Sequence, residues 1–440
     1  MMIDLVSQLN DFSLSRRTQA LEALIAADNC STAEQEVFNL HCHTFFSFNA
    51  YGYSPTALAW LAKQRGFKAL GIVDFDVLDG VDEFLEACGR VAVRGSAGME
   101  TRVYIPEFSR REINSPGEPG IYYYMGIGFT SGQVPTDVVP ILRDMRSRAE
   151  QRNRVMVDRI NAHLAPVTID YDRDVIPLTP AGNATERHLL SAYVRAAADH
   201  FADPVPFWAG KLNLPEGQVR PQFTDVPDFQ NTIRAKLMKR GGVGYTQPGP
   251  DTFPSLEEVN RLVIACGALP CATWLDGMSA GEQAMEELLE LLIARGAVAL
   301  NIIPDRNWNI ADPELRRRKA KKLYDVVELA QKFDLPLNIG TEMNSPGQKL
   351  VDDFDAPELV PLREPFLAGA YFIYGHTRMQ RVLGLGYQSD WAKAQLPTRY
   401  ERNDFYTRVG RLVSPDQAGT GKLQQFTSAH SPAEVLKKLS

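Results

Sequence analysis

Apolar residues along the chain form two kinds of pattern that alternate with each other. Short continuous runs bounded by glycine, proline or polar residues predict buried strands, and longer stretches with apolar positions three or four apart predict helices. The predicted strands are 37–43, 69–74, 97–104, 121–129, 270–275, 297–303 and 337–342. Continuous apolar strands that alternate with helices indicate a parallel sheet covered by helices. Strands in this number and order predict an α/β, TIM-like barrel.

Helix start signals support this alternation. Residues 54–55 are a serine followed by a proline, which predicts a helix with serine as its N-cap and proline in its first turn. Residues 255–258 and 279–282 have the pattern of capping boxes. The second box predicts a single helix that continues to Gly296.

Between the fourth and fifth predicted strands the alternation stops, and the chain becomes mostly helical. The sequence therefore predicts a barrel interrupted by one helical insertion. The predicted parts are an N-terminal helical extension (1–35), the first part of the barrel (36–136), the insertion (137–265), the second part of the barrel (266–380) and a C-terminal extension (381–440).

Composition narrows the classes of partner. The chain has 440 residues, a formal net charge of -7 and a sequence pI of about 5.6, which argues against a protein that binds a nucleic-acid backbone. A phosphorylated small molecule stays possible, because a metal ion supplies positive charge locally. The oligomeric state is left open.

Cysteine usage and apolar stretches bear on the compartment. Five scattered cysteines without a CxxC motif predict reduced thiols and a cytoplasmic protein. The N-terminal residues lack a signal pattern. The longest apolar stretch, 262–275, contains a glycine and a proline and is too short to span a bilayer, so no membrane partner is expected.

Candidate chemistry begins with His41 and His43 at the end of the first predicted strand. Side chains two residues apart on a strand point to the same side. Asp74, Glu100 and Glu342 lie at or near the ends of other predicted strands, and the active face of such a barrel is at those ends. Each residue alone has a structural alternative, such as a helix cap for Asp74 or an ion-pair partner for Glu100. Together they predict a metal site.

Four of these residues complete a candidate ligand set. Two imidazoles and two carboxylates, from His41, His43, Glu100 and Glu342, suit one divalent metal ion (Zn, Mn or Fe) and leave room for water. A metal-bound water is deprotonated near neutral pH and becomes a nucleophile for hydrolysis.

Several motifs in this order resemble those of PHP domains, the polymerase and histidinol phosphatase type. They are His41-Cys42-His43-Thr44, Val73-Asp74-Phe75-Asp76, Gly98-Met99-Glu100 and Gly340-Thr341-Glu342-Met343-Asn344. The resemblance covers roughly residues 37–350. It implies a distorted (β/α)7 barrel that binds up to three metals and hydrolyses phosphoesters.

The chain departs from that family pattern in an ordered way. The residues that hold the first metal correspond to the four candidate ligands above. Residues that hold the second and third metals correspond to Asn49, Phe75, Tyr123, Ala272 or Thr273, and Asn344. The resemblance therefore implies one retained site, with Asn49, Tyr123 and Asn344 lining the pocket. Asp74, by its predicted position near the metal, is a candidate to orient a ligand or to act as the general base.

Further candidates lie close to these motifs. His376 is a candidate acid or base, and Arg378 a candidate contact for an anionic substrate. Arg102 and Lys349 follow two of the candidate ligands closely and are candidates for phosphate or carboxylate contact. A buried structural histidine and surface cations are the alternatives.

The function predicted from the sequence is a metal-dependent hydrolase of PHP type, a phosphoesterase acting on a small phosphorylated molecule with one metal-activated water. One alternative is a catalytically inactive barrel that binds a small molecule or a protein, favoured by the apolar character of Phe75, Tyr123 and Trp274. Another is a one-metal isomerase or lyase acting on a sugar-like acid.

Overall fold

The computed structural model describes residues 2–27 and 32–440. Its centre is a seven-stranded sheet in which the strands follow one another in sequence order. The strands are β1 Gln35–Cys42, β2 Phe67–Phe75, β3 Arg94–Tyr104, β4 Ile121–Ile127, β5 Leu269–Trp274, β6 Ala299–Ile302 and β7 Leu337–Ile339. Each predicted strand is confirmed, with ends that differ by up to three residues. The α/β class and the TIM-like barrel are confirmed as well.

Helices surround this sheet, and further helices precede its first strand and follow its last strand along the chain. In the first half of the chain they are α1 Met2–Gln8, α2 Leu14–Ala27, α3 Pro55–Gln64, α4 Val81–Val91, α5 Val139–Leu164, α6 Glu186–His200, α7 Val205–Leu212, α8 Glu216–Thr224 and α9 Val226–Ile233. In the second half they are α10 Leu256–Ala265, α11 Ala280–Gln283, α12 Met285–Ala294, α13 Asp305–Trp308, α14 Pro313–Lys332, α15 Arg363–Leu383, α16 Asp390–Gln395, α17 Arg399–Leu412, α18 Gln417–Leu423 and α19 Pro432–Leu439.

The first and last strands meet just beyond their ends and close the barrel. Cys42 forms a parallel bridge with Glu342. The backbone N–H of His43 donates to the carbonyl of Glu342 at 2.7 Å, and the N–H of Glu342 donates to the carbonyl of His41 at 2.7 Å. Gly340 makes this approach possible, because a Cβ there would clash with the backbone nitrogen of His41. The closing contacts therefore lie at the predicted metal site.

The prediction of an all-parallel sheet is wrong at β4, which runs antiparallel to both β3 and β5. Parallel neighbours need a crossover connection, usually a helix, but residues 105–120 between β3 and β4 contain only a single 3-10 turn. The chain therefore returns directly beside β3. As a result, the beginning of β4 lies at the face where the parallel strands end, with Tyr123 directly opposite Arg102.

Helix starts follow the sequence signals with one exception. Ser54 caps α3 by accepting from the N–H of Ala57, and the capping box at the start of α10 is confirmed. The predicted box at 279–282 is incomplete, since the Glu282 carboxylate accepts instead from the backbone N–H groups of Leu275, Asp276 and Gly277. The single helix predicted there is also broken, at Ala284, into α11 and α12.

Buried apolar side chains form two main cores. The larger one fills and surrounds the barrel and includes α10 and α15. The second is made by residues between Val157 and Met238, contributed by α5 to α9 and the segments that join them. Residues 28–31 of the predicted N-terminal extension lie outside the described residues, and the boundaries predicted for the five parts remain predictions.

None of the described helices combines the length and the apolar character that crossing a membrane would require. Four of the five cysteines fall in the described part of the chain, and all four are free thiols. Cys30 lies outside it.

Candidate metal centre

Three buried side chains converge where β1 and β3 approach the mouth of the barrel. The Nε2 atoms of His41 and His43 lie 3.3 Å and 3.2 Å from the same carboxylate oxygen, Oε2 of Glu100. None of these three atoms has a hydrogen-bond partner among the described residues. We call His41, His43 and Glu100 the metal cluster, because they are a group of ligand-type side chains close enough to share one ion.

The ring of His41 is oriented from behind by two asparagines. Its Nδ1 lies 3.0 Å from Oδ1 of Asn301 on β6. The same Oδ1 accepts from the side-chain amide of Asn338 on β7 at 2.9 Å. Since that oxygen accepts hydrogen bonds, Nδ1 of His41 carries the proton, and its Nε2 presents a free lone pair to the cluster.

The ring of His43 is fixed in the same sense through Ser47. The Ser47 hydroxyl donates to Oδ1 of Asp74 at 2.6 Å and lies 3.1 Å from Nδ1 of His43. Because the hydroxyl proton is used on Asp74, Nδ1 of His43 must donate and its Nε2 must be bare. The ring of Phe75 stacks on His43 with 4.4 Å between the centroids.

The three free lone pairs fit a cation. Ligands at 2.0–2.2 Å in a tetrahedral arrangement are separated by about 3.3 Å, which is the spacing of the histidine nitrogens from the Glu100 oxygen. Burial raises the pKa of Glu100, but the two histidines beside its carboxylate outweigh that effect and bring the pKa to about 2. Burial lowers the pKa of His41, but Glu100 in particular outweighs this, so its net shift is upward. Protons and metal ions therefore compete for the cluster.

Glu342, the predicted fourth ligand, is not part of the metal cluster. Its Oε2 accepts from Nη2 of Arg306 at 2.7 Å and from the side chain of Gln348 at 3.0 Å. Its φ is 65°, a left-handed conformation that is uncommon for a residue other than glycine. The bridge to β1 thus fixes the backbone of Glu342 beside the cluster, while its carboxylate binds Arg306.

Two arginines lie where the insertion approaches the barrel. Arg102 is two residues beyond Glu100 on β3 and lies 3.4 Å from Glu118. Its guanidinium is 4.2 Å from the centroid of the Phe253 ring, and that of Arg152 is 4.5 Å from the same centroid. Burial and the neighbouring Arg102 lower the pKa of Arg152 to about 10. The two guanidinium groups thus share one ring, and carboxylates such as Glu118 lie close to Arg102.

Of the remaining predicted site residues, Tyr123 lies on β4, and Asn49, Asn344 and Lys349 lie in loops. The Asn49 amide donates to the carbonyl of His43 at 2.8 Å, and its oxygen accepts from two backbone N–H groups, so it supports the loop after β1. Tyr123 is half-buried on β4 opposite Arg102. Asn344 is half-buried in the loop after β7, and Nζ of Lys349 lies 5.3 Å from the ring of Trp308.

His376 and Arg378, also predicted at the site, lie on α15 outside the barrel. Nδ1 of His376 accepts from the N–H of Tyr387 at 3.0 Å. Its ring packs against Gly128, just beyond the end of β4 and so toward the opposite face of the barrel. Burial lowers the pKa of His376 to about 4. Arg378 donates to the hydroxyl of Thr420 at 2.5 Å. The structure therefore brings neither residue to the metal cluster.

Sequence reasoning missed four residues that contact this site. Asn301 and Asn338 are single polar residues inside short apolar strands, which is a signal that they face a polar interior. Ser47 and Arg306 lie in a loop and in the short helix α13, and no pattern in the sequence distinguishes them.

Comparisons with known proteins are distant. No protein-family model and no curated protein matches the sequence. The structure is similar to that of an amidohydrolase from Chromobacterium violaceum with bound sulfate and no metal, at 17% identity over 74% of this chain and 96% of that chain, with a TM-score of 0.48. It is also similar to a Bifidobacterium adolescentis protein provisionally named a metal-dependent phosphoesterase, at 20% identity over 74% and 96%, with a TM-score of 0.45. Likenesses of this degree carry no argument about activity, and membership of the PHP family remains a prediction.

Proposed function

We propose that the protein is a metal-dependent hydrolase that holds one divalent cation at the metal cluster. The observation that carries the proposal is the convergence of three buried ligand atoms without hydrogen-bond partners among the described residues. Two of them are histidine nitrogens, and Asn301 and Ser47 set the tautomers of those histidines. Three protein ligands leave coordination positions free, as in catalytic rather than structural sites. When bound, a Zn, Mn or Fe ion lowers the pKa of a water and polarises a substrate oxygen.

We further propose that the substrate is a small phosphoester. Side chains two apart on a strand share a face, so Arg102 lies on the same side of β3 as Glu100 and about 7 Å further along it. Its guanidinium and that of Arg152 supply planar sets of N–H donors, which suit phosphate oxygens. Burial raises the pKa of Tyr123, so its hydroxyl stays protonated and donates to the same anion.

Asp74 has an orienting role in this proposal. Its two oxygens accept from the backbone N–H and hydroxyl of Thr44 and from the hydroxyl of Ser47. These bonds tie β2 to the loop that follows β1 and keep Nδ1 of His43 protonated. We therefore assign Asp74 to the support of His43 rather than to proton transfer from water.

Elemental mass spectrometry tests the metal first. Wild-type protein should carry about one equivalent of Zn, Mn or Fe. The double variant His41→Ala, His43→Ala should lose it. The matched control His200→Ala, His430→Ala removes two histidines that lie elsewhere and should keep it. Lack of binding by wild type, even after incubation with each metal, would rule out the metallohydrolase.

Turnover then separates the reaction classes. Hydrolysis of an aryl phosphate that is lost with the metal supports the phosphoesterase. Isomerisation or elimination of sugar acids without phosphate release would replace it with a one-metal isomerase or lyase. Retained metal without turnover in either screen would favour a catalytically inactive barrel that binds its ligand.

A further inference from the structure

Arg306 is held beside the metal cluster by a buried carboxylate. It lies on α13, directly after β6, and its Nη2 donates to Oε2 of Glu342 at 2.7 Å. The Glu342 side chain is 8% exposed, whereas that of Arg306 is 45% exposed. The carboxylate is thus a fixed anchor, and the guanidinium keeps further N–H donors in contact with solvent.

Hydrogen bonds hold Glu342 at both its backbone and its carboxylate. The backbone of Glu342 is bonded to both His41 and His43, and Gln348 donates to the same carboxylate oxygen as Arg306. Glu342 raises the pKa of Arg306, and Tyr123 and Glu100 are close enough to add to that effect. Arg306 is therefore a permanent positive charge close to Glu100 of the cluster and to Tyr123 on β4.

We propose that Arg306 binds an anionic oxygen of the substrate next to the cation, and that Glu342 positions Arg306 instead of ligating the metal. This inference rests on the proposed function. A cation and a guanidinium side by side hold two oxygens of one group, and a phosphomonoester offers several such oxygens around one tetrahedral centre. A neutral ester or amide offers a single polarisable oxygen and leaves Arg306 unused. The site therefore selects phosphomonoesters over neutral substrates.

Calorimetric titration of metal-loaded protein with inorganic phosphate tests this role. Arg306→Met should weaken phosphate binding about tenfold or more, and Arg306→Lys less, because lysine keeps the charge but not the fork of donors. Glu342→Gln should keep its metal and weaken phosphate binding. In aryl phosphate hydrolysis, Glu342→Gln should raise KM more than it lowers kcat. The control Arg220→Met removes an arginine from a surface ion pair with Asp203 and should change neither binding constant.

The outcomes separate this inference from the proposed function. Wild-type protein without metal would overturn the hydrolase, and the phosphate titration on that metal-free protein would still decide the role of Arg306. Unchanged phosphate affinity in Arg306→Met, or no phosphate binding by wild type, would overturn the inference alone. Loss of metal from Glu342→Gln would show that Glu342 is a ligand and would also overturn it.

Discussion

Oδ1 of Asn301 accepts a hydrogen bond from Nδ1–H of His41, which leaves Nε2 free as the ligand atom. Replacing Asn301 by leucine removes the acceptor while roughly keeping the volume. We expect Asn301→Leu to bind the metal about 10–100-fold more weakly. Asn301→Asp should bind it at least as tightly as wild type, because a carboxylate also accepts a hydrogen bond from Nδ1–H of His41. Competition with a chelator of known affinity measures the difference.

The control for that experiment is Asn260→Leu, at a buried asparagine on α10 that donates to the carbonyl of Arg295 at 2.7 Å. It carries a comparable cost of removing a buried hydrogen bond but lies away from the ligands. Equal metal affinity in Asn301→Leu and Asn260→Leu would mean that the second nitrogen of His41 needs no partner.

Asp352 gives a pH-dependent prediction at the same scale. Burial raises its pKa from 3.8 to about 7, and one oxygen accepts from Trp308 at 3.0 Å while the other has no partner among the described residues. Between pH 4 and pH 7 the folded chain holds a proton that the unfolded chain has released. The contribution of Asp352 to the free energy of unfolding therefore falls as pH rises through this range.

Asp352→Asn keeps the bond to Trp308 and removes the titration. It should match wild type below pH 4 and exceed its free energy of unfolding by about 2–4 kcal/mol above pH 7. Denaturant titrations at several pH values test this, with the exposed neighbour Asp353→Asn as control. A constant difference between Asp352→Asn and wild type across pH would show that Asp352 stays ionised when folded.

Among the elements, the closure of β7 on β1 depends on Gly340. A methyl group at 340 would meet Oδ1 of Asn39 and the backbone nitrogen of His41, two atoms that are hydrogen-bonded to each other at 2.9 Å and have little freedom to move. Gly340→Ala should destabilise the fold by about 1–3 kcal/mol. It should also weaken metal binding, because His41 moves with the strand.

Gly89→Ala is the matched substitution, since Gly89 lies within α4 and an added Cβ there meets nothing within 4 Å. It should leave metal binding unchanged and stabilise the helix by up to about 1 kcal/mol. Gly340→Ala with unaltered stability and metal affinity would show that the two strands separate without cost.

Elements also mark the limit of what the sequence predicts. Apolar runs locate every strand, because a strand that is buried on both faces needs apolar residues throughout. Such runs do not show which way a strand runs relative to its neighbours, so the sequence did not predict that β4 is antiparallel. The clustering of His41, His43 and Glu100 follows from strand periodicity and is found in the structure. The orientation of Glu342 depends on a left-handed backbone and on Arg306, a contact between residues 36 positions apart in sequence. No local pattern encodes that pairing.

In the molecule as a whole, only one of the two apolar cores lies in the part of the chain that holds the metal cluster. The cluster belongs entirely to the barrel, and the core between Val157 and Met238 contributes none of its three residues. Contacts between the two parts include a polar one, the bond from Arg187 to the hydroxyl of Ser345 at 2.9 Å, and an apolar one, Ala181 packed against Phe45, Phe46 and Val77. Metal binding should therefore stabilise the barrel more than the insertion.

Hydrogen exchange with mass spectrometry, with and without metal, tests that division. Trp208 is fully buried in the insertion core, and Trp208→Ala should cost that core about 3–5 kcal/mol while one equivalent of metal stays bound. Trp274→Ala makes the same change on β5 of the barrel and should lower both stability and metal affinity. Metal at 100 times its dissociation constant should slow exchange in barrel peptides by an amount equal to about 2.7 kcal/mol, because the folded barrel alone binds it. Equal metal protection in insertion peptides would instead show that the two cores unfold as one unit, and Trp208→Ala would then release the metal as readily as Trp274→Ala.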